Sequence, residues 1–135
     1  MPFIQRRITI LSIRRPKQLG LNEELQWLGS SLGLFGERDK DKSCFRMFLE
    51  LLKAAKMQQG LSSDELAMRL RLTRPTIIHH LDTLQERGLV VHERKKYLLR
   101  DESLEQLLRT LRQDMEQTIK QLEQTAKEID EVLEP

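Results

Sequence analysis

Residues 72–90 read LTRPTIIHHLDTLQERGLV, and the rest of the chain falls into place around them. Thr73 puts a hydroxyl where a helix can begin, able to accept from the backbone of the first turn. Pro75 follows inside that first turn, where a missing N–H costs little. Ile77, Leu81 and Leu84 recur at steps of four and three, the spacing of one helical face. Gly88 ends the helix. The opposite face then carries Arg74, Thr76, Ile78, His79 and Asp82.

Upstream, Gly60 breaks the chain and Ser62 with Glu65 forms a capping box for a short helix bearing Leu66, Ala67 and Leu70. Only a few residues separate it from Thr73. Before Gly60, Ser43 is placed to cap a helix running to about Lys56. Its stripe of Phe45, Phe48, Leu52 and Ala55 is widened by Met47, Leu49 and Leu51, which predicts burial on two sides. Cys44 in its first turn reads as a small buried residue. Earlier still, Leu21, Leu25, Leu28, Leu32 and Phe35 mark an amphipathic helix with Asn22 as its expected N-cap and Gly33 and Gly36 at its end. The charged residues 37–42 read as a loop. Residues 6–15 hold Ile8, Thr9, Ile10 and Ile13 and read as a strand or extended arm. With no hairpin partner nearby, that arm is expected to pair distantly, to pack on a second subunit, or to lie on a ligand.

Downstream, residues 89–92 and 97–99 are apolar runs around Glu93, Arg94, Lys95 and Lys96, a hairpin with a basic tip. Ser103 and Gln106 suggest a second capping box, and no Gly or Pro interrupts the chain from there to Leu133. A helix of about thirty residues follows, and its seam is Leu104, Leu108, Leu111, Met115, Ile119, Leu122, Ala126, Ile129 and Leu133. The partial eleven-residue echo along it implies a nearly straight seam. A stripe that long exceeds what one small domain can cover, so a coiled-coil homodimer through these residues is expected.

Helix, short helix, tight connection, helix and basic hairpin is the order of a helix-turn-helix followed by a wing. Residues 72–90, with the polar cap, the Pro-Thr, the His-Leu, the second Leu and the Gly-Leu-Val in that order, resemble the recognition helix of ArsR/MarR-like winged helix-turn-helix transcriptional regulators of prokaryotes, archaea included. Arg94, Lys95, Lys96 and Tyr97 resemble that family's wing, and the likeness spans about residues 43–100. The resemblance implies a mainly α fold with a small β-hairpin wing, and double-stranded DNA as partner. It puts Thr73, Arg74, Thr76, Ile78 and His79 against the major groove, Arg94, Lys95 and Lys96 against phosphates or the minor groove, and His80 in an inward structural position. Arg74 suits guanine O6 and N7, Thr76 a phosphate near the helix N-terminus, and an exposed Ile78 a thymine methyl. Ile78 departs from the small polar residue common at its position, a change that also fits a module turned toward a protein partner. The expected organisation is a basic N-terminal arm or strand (residues 1–20), an amphipathic helix (21–36), the winged domain (43–100) and a dimerisation helix (103–134).

Charge is distributed to match. Residues 1–20 carry five basic side chains and no acidic one, including Arg6 and Arg7, which are expected to reach DNA; residues 101–135 carry four basic against ten acidic. A basic body with an acidic tail suits one face for a polyanion and another that avoids it. The competing expectation is a protein-interaction module that uses the acidic C-terminal helix to dock a partner. Neither apolar content, 39% of 135 residues, nor any apolar run supports a membrane span, which takes about 20 residues. Residues 8–13 are too short for a signal-peptide core, although an acid-poor, Arg-rich start also suits a transit peptide. One cysteine excludes an internal disulfide and a multi-cysteine zinc site, which fits the reducing cytoplasm. No phosphate loop, Gly-x-Ser-x-Gly, His-Glu-x-x-His or Cys-x-x-Cys occurs, so no catalytic residue, metal ligand or cofactor is assigned and a non-enzyme is expected. His79 and His80 do not share a helix face, and the short helix lacks the cysteines of the family's metal sensors. No small-molecule effector is identified by the sequence.

Overall fold

A computed structural model describes residues 4–17, 20–36 and 41–135. The order is α1 (Leu21–Ser31), α2 (Ser43–Lys56), α3 (Ser63–Leu70), α4 (Arg74–Glu86), β1 (Val90–Glu93), β2 (Lys96–Leu99) and α5 (Leu104–Leu133). Of the loop expected over 37–42, residues 37–40 lie outside the described ones, as do parts of the expected arm, residues 1–3 and 18–19.

The core forms around the wide face of α2, which packs on α3, α4 and β2. Phe45, Met47, Phe48 and Leu51 of α2 are buried with Leu66 and Leu70 of α3, Ile77, Leu81 and Leu84 of α4, Leu89, Val90 and Leu99 of the hairpin, and Leu107 and Leu111 of α5. Cys44 is buried beside them. A Cβ on Gly29 would lie 2.6 Å from the Phe45 ring, so the glycine is what lets α1 approach α2. β1 and β2 are antiparallel with Glu93 opposite Lys96, and Leu61 and Tyr97 exchange backbone hydrogen bonds of 2.9 and 2.7 Å that extend the hairpin toward α3. This is a winged helix-turn-helix fold with a long C-terminal helix.

Several helix ends follow the sequence. Ser62 and Glu65 complete their capping box, Thr73 accepts from Thr76 N, and Ser103 accepts from Gln106 N. At the far end of α4, Gly88 takes φ +76°, its N–H reaches Gln85 O and the N–H of Leu89 reaches Leu84 O, closing the last turn. Two caps differ. α1 begins one residue before Asn22, with Gly20 as its N-cap. α2 has Lys42 as N-cap, with φ +57°, and the Ser43 hydroxyl sits 2.6 Å from His80 Nε2 in the interior. Ser43 is therefore spent on tertiary structure rather than on the helix end.

Of the two forms expected for the arm, strand or extended segment, the structure shows the second. Among the described residues of 4–17 no strand forms. Arg7 N donates to Glu86 O, Leu11 N to Ser31 O, and Ile13 O accepts from Trp27 Nε1. Glu86 and Ser31 are the last residues of α4 and α1, whose carbonyls lack helical partners. The arm is extended because helix ends, not a sheet edge, satisfy its backbone, and it packs on its own chain.

α5 is covered only at its start. Leu107 and Leu111 are buried in the chain's own core and Leu104 and Leu108 pack at its edge, so Leu111, expected in the seam between subunits, serves the monomer's interior. From Met115 onward the helix is exposed. No helix among the described residues is long and apolar enough to cross a membrane.

Candidate nucleic-acid interface

The connection from α3 to α4 is three residues long. Arg71 takes φ +55° and ends α3, and Leu72 N returns to Ala67 O. The Thr73 and Thr76 hydroxyls lie 3.0 Å apart at the start of α4. Arg46 of α2 donates to Leu70 O at 3.1 Å, tying the turn to the core. Arg71 and Arg46 were not singled out from sequence. An exposed left-handed arginine gives no periodic signal, and the partner of Arg46 is fixed only by tertiary packing.

With Ile77, His80, Leu81 and Leu84 inward, α4 presents Arg74, Pro75, His79, Asp82 and Glu86 to solvent. Thr76 is half-buried. Ile78 differs from its expected exposure: it is half-buried and packs against the core, leaving only an edge outward. The outward face is thus positive over its first two turns and negative beyond, so a polyanion is favoured at the N-terminal half, where free backbone N–H groups add to the attraction.

The first turn of α3 sits between the recognition helix and the wing. Asp64 Oδ1 lies 3.9 Å from Arg74 Nη1, and Glu65 Oε1 lies 2.6 Å from Lys96 Nζ. Consecutive residues therefore gather Arg74 and Lys96 on one side of the domain. The hydrogen bond from Lys96, then the backbone N–H of Ser62, holds the Glu65 carboxyl down to about 2 from its ordinary 4.5. Because the folded value is depressed, the contact's contribution is present above pH 4.5 and is lost as pH falls toward about 2. A carbon NMR titration should place the Glu65 carboxyl well below the ordinary value, and Lys96→Ala should return most of that shift. Titration at 4.5 in the unaltered chain would remove the contact.

The wing turn is built from two charged residues. Arg94 and Lys95 have φ +49° and +68°, the double positive φ of a two-residue I′ turn, where Asn-Gly is the unstrained choice. Both are exposed and neither ion-pairs with a described residue. Behind them the His92 and Tyr97 rings stack at 4.1 Å.

Arg6 and Arg7 are elsewhere. Arg7 Nε pairs with Glu86 Oε1 at 2.8 Å, at the opposite end of α4 from Arg74, about 18 Å along the helix at 1.5 Å per residue. Arg6 Nη1 lies 2.7 Å and Arg100 Nη1 2.5 Å from Asp114 Oδ2. The hydrogen bond from Arg100, then that from Arg6, holds the Asp114 carboxyl below its usual range against the upward push of burial. Arg6, Arg100 and Asp114 thus tie the arm to the base of the wing and to α5, and Arg87 donates to Leu32 O at 3.0 Å and to Gly33 O, joining α4 to the end of α1.

His80 is buried, as the resemblance implied, and no group of three or more metal-ligating side chains occurs among the described residues. The family model described as "Bacterial regulatory protein, arsR family" matches residues 49–91, about a third of the chain, from the middle of α2 into β1. No curated protein and no solved structure matches the chain.

Proposed function

Because residues 49–91 form an ArsR-like helix-turn-helix, a DNA-binding module of transcriptional regulators, we propose that the chain is a homodimeric, cytoplasmic regulator that binds particular double-stranded DNA sites. Two recognition helices related by a two-fold axis would meet successive major-groove faces of a pseudo-palindrome. Arg74 and His79 read bases from the first turns of α4, Thr73 and Thr76 bond phosphate at its N-terminus, and Arg94 and Lys95 hold the backbone from the wing. Lys96 contributes less, because Glu65 already engages it. Ile78 touches a thymine methyl with its outward edge only. Arg6 and Arg7 support the fold rather than the DNA, since carboxylates neutralise both.

The observation that carries this reading is the wing turn. A left-handed L-residue costs roughly 1–2 kcal/mol. A chain that sets Arg94 and Lys95 there, at an exposed tip, keeps two cations at the expense of stability. Replacing them with Asn and Gly should therefore act in opposite directions. Thermal stability should rise by roughly 1–2 kcal/mol. Binding to all sequences should weaken alike, with the slope of log affinity against log salt falling by about 0.9 per lost contact. Arg74→Ala should instead cost about 1–3 kcal/mol on the preferred site and relax one base position. Selection from a random DNA pool, followed by salt titration, checks both.

The acidic outer half of α4, with Asp82 and Glu86 exposed, favours a second reading as a protein-docking module. Absence of duplex binding at low salt would select it.

A further inference from the structure

We propose that a cleft at the base of the wing binds a small molecule carrying a protonated amine on a short alkyl chain. The cleft lies where the end of α2, strand β2 and the first turn of α5 meet, and it holds about 820 Å³. A ligand there touches both the wing and the long helix. None of Arg74, His79, Arg94 and Lys95 lines it, so the site stands whether or not the chain binds DNA.

The walls of the cleft are held together by the chain leaving α2. A Cβ on Gly60 would lie 2.9 Å from Lys96 Cβ and 3.0 Å from Leu98 Cγ, so the glycine is what lets this segment press against β2. The backbone bonds between Leu61 and Tyr97 then fix the two to each other. The cleft is therefore formed before any ligand arrives. Ala55 of α2 and Leu98 and Leu99 of β2 give it an apolar part, which suits an alkyl chain and offers nothing to a bare metal ion.

Charge chooses the class of ligand. Asp101 and Glu102 line the cleft, and neither ion-pairs with a described residue. Arg100, the basic residue of the lining, already holds Asp114 at 2.5 Å. Two carboxylates are thus left uncompensated. The wall from α2 is a helix C-terminus, which favours a cation, and Lys53 and Lys56 of its last turn are exposed and outside the lining. The wall from α5 is an N-terminus, but there the Ser103 hydroxyl already accepts from Gln106 N. Capping therefore leaves Asp101 unused, and its Oδ2 is buried without a hydrogen-bond partner. Buried polar atoms are nearly always paired in folded proteins. An ammonium group has three donors and no acceptor, which is what two carboxylates lack, and the amides of Gln58, Gln59 and Gln106 stand in the same lining for a remaining N–H.

Titration of the full chain with n-butylamine at neutral pH, followed by amide NMR, tests the site. Saturable shifts are expected at Gln58, Gln59, Gln106 and residues 101–103, and none with n-butanol or butyrate at the same concentrations. Glu102 is exposed, so Glu102→Gln should leave the fold intact. It should raise the dissociation constant about tenfold, the scale of one charge-assisted hydrogen bond. Asp101→Asn should act in the same direction. Ala55→Leu should abolish binding with both carboxylates retained, because it fills the apolar part of the cleft. Glu131→Gln, on the exposed acidic end of α5, should change nothing. Equal weakening by Glu131→Gln would mean that the amine collects on acidic surface at large, and would overturn the proposal. So would equal shifts with n-butanol, which would make the cleft merely apolar, or shifts with magnesium ion and not with the amine. The absence of any saturable shift at these amides refutes the site itself.

Discussion

A chain cut after Met115 is expected to be monomeric and to lose most of its DNA affinity. The cut removes the helix from Glu116 on, whose apolar side chains are exposed, from Ile119 at 45% to Val132 at 82%. It spares Leu107 and Leu111, which the core needs. The domain should therefore keep its fold, with an unfolding transition close to that of the parent at low concentration. What disappears is the link between two recognition helices. Joining two binding modules typically raises overall affinity by about 10²–10⁴, and that is the loss to look for on a two-half-site duplex. On a single half-site, truncated and full chains should bind nearly alike. Light scattering with binding to both duplexes checks the expectation, and a stable dimer after truncation would show that the seam lies elsewhere.

The second large effect belongs to Leu81→Ala. Leu81 is 1% exposed on the inward face of α4, between Ile77 and Leu84. Removing a buried leucine's outer carbons costs about 2–5 kcal/mol, the transfer term plus the cavity left behind. Domains of this size are stable by about 5–15 kcal/mol, so a large fraction of the total is at stake. Urea unfolding should show a lower midpoint with an unchanged slope. DNA affinity per folded molecule should fall too, because α4 is held in place by that face. A loss below 1 kcal/mol would mean that the core beneath the recognition helix is loosely packed.

Where the chain's own neighbours decide structure, the sequence was legible. Ser62, Thr73, Ser103 and Gly88 mark helix ends through bonds three to five residues long, and the helices follow from their apolar steps. Where distant partners decide, it was not. The Ser43 hydroxyl has two uses open to it in sequence, and only packing brings His80 within 2.6 Å. The β-branched arm reads equally as a strand or an extended segment, because nothing local distinguishes a sheet edge from the carbonyls at the ends of α1 and α4. Arg6 and Arg7 look like free cations until Asp114 and Glu86 arrive from about a hundred and about eighty residues away. The candidate interface divides in the same manner. The order of Arg74, His79 and the basic turn could be read directly, whereas the engagement of Lys96 by Glu65 and the partial burial of Ile78 follow from how α3, the wing and the core meet.

The bond between Arg6 and Asp114 spans 108 positions of a 135-residue chain. The arm is therefore synthesised more than a hundred residues before its anchor. Arg7 can find Glu86, and Leu11 the end of α1, before α5 exists, but Arg6 has no carboxylate to hold until Asp114 is made. Closing so long a loop carries an entropic cost that is met only once α5 has formed and docked through Leu107 and Leu111. The Arg6 contact is therefore among the last of the arm's contacts to form. A chain that lacks residue 114 leaves Arg6 unpaired and holds its arm only through the ends of α1 and α4.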